Sequence, residues 1–224
     1  MASAAMSDRP DLVTPPVARR RRALAPIRTL GPQDSPAILR HRLALDGRDR
    51  HLRFGFAAQD EPIQRYVEGL RFGLDEVFGI FDRRLQLIAV AHPAYRVTPG
   101  RGSDAAKFGV SVAAHARGRG FGQRLFGRAL LHARNHGVQV LHMHALSENA
   151  AMLHIARKAG AHVVQRAGES ECHLALPPAD FESQWRELLQ EALARADFRL
   201  KALRMRLRRL ARRLRALAGR RPLR

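Results

Sequence analysis

Two patterned segments of the chain flank a glycine-rich hexad, Arg117-Gly118-Arg119-Gly120-Phe121-Gly122. The alternating run 108–112 predicts a strand, and the run 123–135 predicts a helix. A helix N-terminus presents unpaired amides with partial positive charge, and glycine lets a phosphate approach the backbone closely. The hexad therefore predicts an anion site, and the anion we expect is a pyrophosphate.

Two common phosphate-binding loops do not match this segment. The sequence contains no G-x-x-x-x-G-K-[ST], which a P-loop requires. The dinucleotide pattern G-x-G-x-x-G fails from Gly118, because Gln123 takes its last position, and from Gly120, because Leu125 does. The acidic ribose ligand expected about twenty residues later is also missing. A nicotinamide or flavin dinucleotide is therefore not the expected ligand.

The hexad fits [RQ]-x-x-G-x-[GA], and with this pattern the chain resembles the GCN5-related N-acetyltransferase (GNAT) family. Val112 stands five residues before Arg117, where the family has a strand valine. A second family motif, an asparagine followed by a short helix and a glycine, is similar to Asn149 through Gly160. The resemblance implies an α/β (α+β) fold: a mixed, twisted sheet of six or seven strands flanked by helices. It also implies acetyl-CoA as cosubstrate.

The resemblance further implies a role for particular residues. The backbone of Val110 and Val112 would pair with the pantetheine arm like an added strand, and an amide near Val112 would polarise the thioester carbonyl. The loop amides would hold the pyrophosphate. Asn149 would bond the cofactor arm or a water molecule, cap a helix, or do both. The complete implied cofactor set is Val110, Val112, Arg117, Gly118, Arg119, Gly120, Phe121, Gly122, Gln123, Asn149 and Met152.

Two positions depart from the family pattern. Ala156 stands seven residues after Asn149, where many members have a tyrosine that protonates the leaving thiolate. The N-x-x-M style of the second motif resembles the acetyltransferase domain of bacterial protein lysine acetyltransferases, in which the central strand begins with a glutamate. Lys107 takes that place here. Glu148 and Asn149 are the catalytic candidates, although an acid in the first turn of a helix is also expected for the dipole.

Histidine and cysteine are the remaining residues with reactive or metal-binding side chains. His132 and His136 are spaced four apart on a predicted helix, and His142 and His144 share one face of a predicted strand. With eleven histidines, chance pairs are common, and no cysteine or carboxylate stands near either pair in sequence, so no metal site is predicted. Cys172 is the one cysteine, which fits a reducing, cytoplasmic environment.

The net charge of +20 is concentrated at the two ends of the chain. Residues 199–224 contain twelve basic residues and no acids, and residues 1–29 contain six arginines and two aspartates. Nucleic-acid binding is possible but not favoured, since a stacking platform needs aromatic residues and the chain has two tyrosines and one tryptophan. No apolar run is long enough to predict a membrane span or a secretory signal.

The predicted domain organisation has four parts: a flexible basic arm (1–25), an acetyltransferase domain (26–178), an amphipathic basic helix (179–218) and a tail (219–224). Leucines of the helix repeat at steps of 7, 3, 4, 3, 4 and 3, the spacing of a coiled-coil seam. They are Leu193, Leu200, Leu203, Leu207, Leu210, Leu214 and Leu217. The stripe could pair with a second copy, pack on the domain, lie on an anionic membrane surface or belong to a helix that also contacts nucleic acid. The positive charge of the helix favours an acidic partner surface, and a flexible solvated end is the remaining alternative.

Within the domain, periodicity and turn residues predict alternating strands and helices. Ser35 is expected to cap the first helix, and Gly137 is expected to end the helix that follows the hexad. The predicted strands are 27–30, 77–81, 85–91, 107–112, 138–145, 162–164 and 171–176. The predicted helices are 38–45, 61–70, 120–135 and 149–159.

From these observations we predict an N-acetyltransferase that moves an acetyl group from acetyl-CoA directly to an amine, either a small molecule or a protein lysine. The alternative is a noncatalytic acyl-CoA-binding regulatory module tethered through the basic C-terminal helix, which the departures at Lys107 and Ala156 permit.

Overall fold

A computed structural model describes residues 25–98 and 102–218. Seven strands form one sheet in the order β1-β2-β3-β4-β5-β7-β6, and every pair is antiparallel except β4 with β5. The strands are β1 Ile27–Thr29, β2 Phe78–Phe81, β3 Leu87–Thr98, β4 Gly102–Val112, β5 Val140–Leu146, β6 His162–Arg166 and β7 Glu169–Ala175. The helices are α1 Ser35–Leu43, α2 Gly47–Phe54, α3 Asp60–Glu68, α4 Phe121–Asn135, α5 Ala150–Lys158 and α6 Phe181–Ala218. The mixed seven-stranded sheet flanked by helices confirms the predicted fold.

The helix after the hexad is the element that the sequence predicted most closely. Phe121, Leu125, Ala129 and Ala133 recur at steps of four and are all buried, so α4 packs on the sheet through the predicted face. The helix ends at Asn135, and Gly137 follows with φ of 75°. This left-handed conformation favours glycine.

The central hairpin is longer than predicted because β3 continues through Pro93. Proline removes a backbone donor, so a strand prediction ordinarily stops there. Ala113 donates to the carbonyl of Ile88, so even-numbered residues of β3 bond β4 and the nitrogen of Pro93 faces the opposite edge. Strand β2 begins at Phe78, opposite Ala91, and does not reach Pro93, so the missing donor of Pro93 costs no hydrogen bond to β2.

The prediction for residues 35–60 was wrong in two respects. Ser35 is the first residue of α1 and not its cap, because a 3-10 turn at Pro32–Asp34 runs directly into the helix. Helix α2 was not predicted at all. Its sequence is polar and none of its residues is fully buried, so it lacks the apolar periodicity on which a helix prediction rests.

Helix α6 has two opposite faces. One face lies on the domain through Ser183, Glu187, Glu191 and Ala194, of which Ser183 and Ala194 are buried. The other face carries the leucine stripe, and its described members Leu193, Leu200, Leu203, Leu207 and Leu210 are 53–58% exposed. A partner for this stripe stays a prediction. Among the described residues, no helix is long and apolar enough to cross a membrane.

The N-terminal arm (1–25) and the tail (219–224) lie outside the described residues, apart from Ala25, whose carbonyl accepts a hydrogen bond from Arg124.

Candidate active site

Strands β4 and β5 separate part-way along their length and leave a gap in the sheet. Their parallel pairing runs only from Ala105 opposite Val140 to Lys107 opposite His142, although both strands continue beyond it. Successive amides of a strand point to alternate edges. Because the amide of Ala113 bonds β3, the amides of Val110 and Val112 point into the gap. This edge offers backbone donors to an extended ligand.

The glycine-rich loop continues from the gap into the N-terminus of α4. Gly118 and Gly120 have φ of 71° and 76°, and a Cβ at either position would meet no atom within 4 Å. Glycine is therefore required by backbone conformation and leaves open space beside the chain. Gly120 caps α4 without a side-chain hydrogen bond. No side chain in the described part of the chain accepts a hydrogen bond from the amides of the first turn, as a phosphate site requires.

A single cleft of about 650 Å³ joins the strand gap to this loop. The structure brings ten of the eleven predicted cofactor residues to its wall: Val110, Val112, Arg117, Gly118, Gly120, Phe121, Gly122, Gln123, Asn149 and Met152. The exception is Arg119, whose guanidinium lies over the ring of Phe121, 4.7 Å from its centroid. The chain therefore presents strand-edge amides and helix-end amides along one continuous surface.

A family model described as the acetyltransferase (GNAT) family matches residues 50–161, half of the chain. The chain belongs to this family. GNAT proteins transfer acyl groups and use acetyl-CoA. The strand-edge amides and the glycine loop of this chain suit the pantetheine arm and the pyrophosphate of that cosubstrate.

Solved structures agree with the GNAT fold. The GNAT domain of PAT from S. lividans is 17% identical with a TM-score of 0.57, over 67% of this chain and 89% of that one. The ribosomal-protein-alanine N-acetyltransferase of Brucella melitensis is 23% identical with a TM-score of 0.53, over 67% and 99%. The spermidine N-acetyltransferase of Vibrio cholerae, solved with CoA and spermine, is 17% identical with a TM-score of 0.51, over 66% and 91%. No curated protein matches the sequence.

Asn149 of the second GNAT motif is the N-cap of α5. Its Oδ1 accepts a hydrogen bond from the amide of Met152 at 3.1 Å, and its Nδ2 donates to the carbonyl of Leu52 at 3.4 Å. The cap is the structural role that the sequence allowed, and it also ties α5 to α2. Glu148 is exposed, is not among the residues that line the cleft, and lies 3.3 Å from Nε2 of His51.

The two departures from the GNAT pattern occupy different environments. Ala156 is fully buried on the inner face of α5, so this position presents no proton donor to the cleft. Lys107 is exposed and lines a second pocket of about 370 Å³ next to the cleft. The pocket and the cleft share Leu52, Arg53, Phe108, Gly109 and His144.

A polar chain in the second pocket escaped the sequence analysis. Arg53 donates to the hydroxyl of Tyr66 at 2.9 Å, and that hydroxyl lies 2.6 Å from Nδ1 of His92. Burial and the charge of Arg53 lower the pKa of His92 to about 4, so the imidazole is neutral at pH 7 and shares one hydrogen bond with the Tyr66 hydroxyl. These residues lie on α2, α3 and β3, and no short motif links them.

The histidines raised as metal candidates have other contacts. His132, His136 and Glu187 place ligand atoms within 4.8 Å of one another, so α6 supplies a carboxylate that sequence spacing did not place there. Glu187 instead accepts from His132 at 2.6 Å and pairs with Arg128 at 3.0 Å. We interpret this cluster as the polar contact between α4 and α6. In the other pair, Nδ1 of His142 lies 2.8 Å from Nδ1 of His173.

Proposed function

We propose that the protein transfers an acetyl group from acetyl-CoA directly to an amine. The observation that supports this is the continuous cleft from the β4/β5 gap to the N-terminus of α4. One end of that cleft opens beside the second pocket, which gives an acceptor its own approach to the reacting carbon.

Different residues of the cleft bind different parts of acetyl-CoA. The amides of Val110 and Val112 bind the pantetheine arm, and the Val112 amide polarises the thioester carbonyl. The first-turn amides of α4 and the loop Gly118–Gly122 bind the pyrophosphate. When bound, acetyl-CoA supplies the activated acyl carbon.

In the transfer step, the amine nitrogen forms a bond to the acyl carbon and the carbon–sulfur bond breaks. The amine gives up a proton, and the departing sulfur takes one. We place the base at His144, because it lines both the cleft and the second pocket and imidazole is the commonest general base. Glu148 lines neither of them and would act only through His51.

A Gln123→Glu variant tests the phosphate site without straining a glycine. Gln123 lines the cleft in the first turn of α4, where a carboxylate favours the helix dipole but repels a pyrophosphate. Calorimetry with acetyl-CoA is expected to show at least roughly tenfold weaker binding at unchanged thermal stability. Gln165→Glu, exposed on β6, is the matched control and keeps parental affinity. Absence of acetyl-CoA binding by the folded parent would overturn the proposal.

The second candidate function is a noncatalytic acyl-CoA-binding module. Buried Ala156 and the lysine at position 107 favour it, since they remove two groups that relatives use for proton transfer. Release of free CoA thiol in the presence of an amine panel separates the candidates. Binding without release would favour the module, and release that falls at least tenfold in a His144→Gln variant would favour the enzyme.

A further inference from the structure

The second pocket has one arginine on its wall and a buried one nearby, and neither has an acidic partner among the described side chains. Arg53 lines both the pocket and the cleft, and the guanidinium of fully buried Arg42 lies 5.6 Å from the ring centroid of Tyr66, a residue of the pocket. Among the side chains that the structure describes, those of residues 25–94 and 106–212, no carboxylate lies within 4 Å of either guanidinium. Asp75 approaches His92 instead, at 3.9 Å. Enclosed cations of this kind are costly unless an anion pairs with them.

Each guanidinium has hydrogen-bonding capacity left over. Arg42 donates to the hydroxyl of Ser111 at 3.0 Å, and Arg53 donates to Tyr66. The Nε atoms of both arginines are buried without a partner. Burial, and to a lesser extent the nearby charge of Arg53, lower the pKa of Arg42 to about 9.

Gly109 lets the guanidinium of Arg53 reach the point where β4 leaves β5. A Cβ at position 109 would lie 2.7 Å from both Cζ and Nη2 of Arg53, a contact that real side chains do not make. The guanidinium therefore lies directly on the strand whose next amides, at Val110 and Val112, face the gap. This places a cation one residue before the first amide that faces the gap.

The remaining charged groups of the pocket leave it positive. Lys107 adds a second cation, and Glu169 is the acid on its wall, at an exposed position. A polyamine or an isolated alkylammonium would meet repulsion from Arg53 and Lys107. An acceptor that carries its own anion close to the amine would instead neutralise them, and guanidinium groups bind carboxylates through paired hydrogen bonds.

We propose that the acceptor carries a carboxylate next to its amine, and that Arg53 with Lys107 binds that carboxylate. This inference rests on the proposed acetyl transfer, and it makes the substrate class an α-amino acid. Arg53 is then a specificity-determining residue. It holds the carboxylate while the neutral amine nitrogen attacks the acyl carbon, the carbon–sulfur bond breaks and the proton lost by the amine leaves through the base.

The test uses matched amines that differ by one carboxylate: alanine with ethylamine, phenylalanine with 2-phenylethylamine, and lysine with 1,5-diaminopentane. Each is titrated calorimetrically into the full-length protein saturated with CoA, so that turnover is not needed. The carboxylate-bearing member of at least one pair is expected to bind about tenfold more tightly or better. In Arg53→Gln this preference is expected to disappear, so that the two members of each pair bind equally. Because Arg53 also lines the cofactor cleft, the Kd for CoA is measured for each variant and the amines are titrated at a CoA concentration that saturates it.

Two further variants keep the result interpretable. Gly109→Ala retains the charge but displaces the guanidinium, and it is expected to lose the same preference. Arg65→Gln removes an exposed cation of α3 that pairs with Glu61, and it keeps the parental preference. A thermal melt confirms that each variant is folded.

Equal affinity within every pair, or a preference that survives in Arg53→Gln, would overturn the inference. Tighter binding of succinyl-CoA than of acetyl-CoA that depends on Arg53, without any preference among the amines, would place the carboxylate on the acyl group and also overturn it. Failure of CoA itself to bind the parent protein would instead remove the proposed acetyl transfer.

Discussion

Arg117, the first residue of the glycine-rich loop, forms an ion pair with Asp49 in the first turn of α2. Its Nε also donates to the carbonyl of Val112 at 3.3 Å. Asp49 lines the same cleft as the loop. A carboxylate therefore stands where an incoming pyrophosphate would approach, and it holds the cation that the phosphate would use.

Removing this carboxylate is expected to tighten cofactor binding. Asp49→Asn eliminates a negative charge in the cleft and releases Arg117 for the phosphate, so the Kd for CoA should fall by about three- to tenfold in calorimetry at low salt. Asp60→Asn is the control, since Asp60 lies in the first turn of α3 and pairs with Arg50. Weaker binding by Asp49→Asn would mean that the ion pair orients Arg117 rather than competing for it.

The stability of the protein is expected to fall on mild acidification. Burial and the neighbouring Arg42 lower the pKa of His41 from 6.5 to about 4. Nδ1 of His41 donates to the carbonyl of Leu87, and Nε2 accepts from Ser111. Because the unfolded chain takes up this proton at higher pH, the stabilisation is complete above pH 6.5 and is lost as the pH falls towards 4.

Urea unfolding between pH 7 and pH 4 checks this expectation. The parent should lose up to about 3 kcal/mol through His41 alone. His41→Gln should be less stable at pH 7 but show a shallower pH dependence, whereas exposed His162→Gln should keep the parental one. Parallel pH profiles for the parent and His41→Gln would contradict a neutral, buried His41.

A second acid-labile contact lies between α4 and α6. Burial would raise the pKa of Glu187, but hydrogen bonds from His132 and Asn135 and the charge of Arg128 hold it at about 2. The depressed pKa adds stability above the ordinary value of 4.5 and loses it between pH 4.5 and 2. Glu187→Gln is expected to cost about 1–2 kcal/mol at pH 7, because solvent screens part of the interaction, and to remove the decline in this range; urea unfolding measures both. Glu182→Gln, exposed in the same helix, is the control.

The two faces of α6 should respond differently to truncation of a side chain. Phe198 packs against Phe81 with ring centroids 5.1 Å apart, and the guanidinium of Arg28 lies 4.0 Å from its centroid. Phe198→Ala is expected to cost about 2 kcal/mol in urea unfolding. Leu203→Ala, on the exposed face, should change stability by less than about 0.5 kcal/mol. A larger loss for Leu203→Ala that grows with protein concentration would show that a second copy covers the stripe.

The parts of the site that follow local chemistry were predictable from the sequence. The loop glycines indicated a left-handed turn before a helix, and Gly118 and Gly120 have that conformation. Regular apolar spacing predicted the buried face of α4. Asn149, followed by a predicted short helix, indicated the cap of α5. In each case one stretch of chain contains both the signal and the structure.

The parts that depend on contacts across the fold were not predictable. Arg117 meets Asp49, and Arg53 meets Tyr66 and Gly109, over long stretches of chain with no shared pattern. Helix α2 supplies Asp49 and Arg53, and it was missed because its surface is polar. The second pocket could not be predicted either, because its walls come from elements that meet only after the sheet has formed.

Restoring the tyrosine that many GNAT relatives have at the position of Ala156 is expected to damage this protein and not to improve it. Ala156 is fully buried, does not line the cleft, and packs in the core on the inner face of α5. A tyrosine there adds a ring and a hydroxyl to filled space, which costs about 2 kcal/mol or more. Ala156→Tyr should therefore lower the melting temperature without raising the rate of CoA release. Arg157→Tyr, one position along at an exposed site, should leave the melting temperature nearly unchanged. A stable Ala156→Tyr variant with faster CoA release would contradict this expectation. It would show that α5 can turn position 156 towards the cleft, and that the protein lacks a proton donor there only because the residue is alanine.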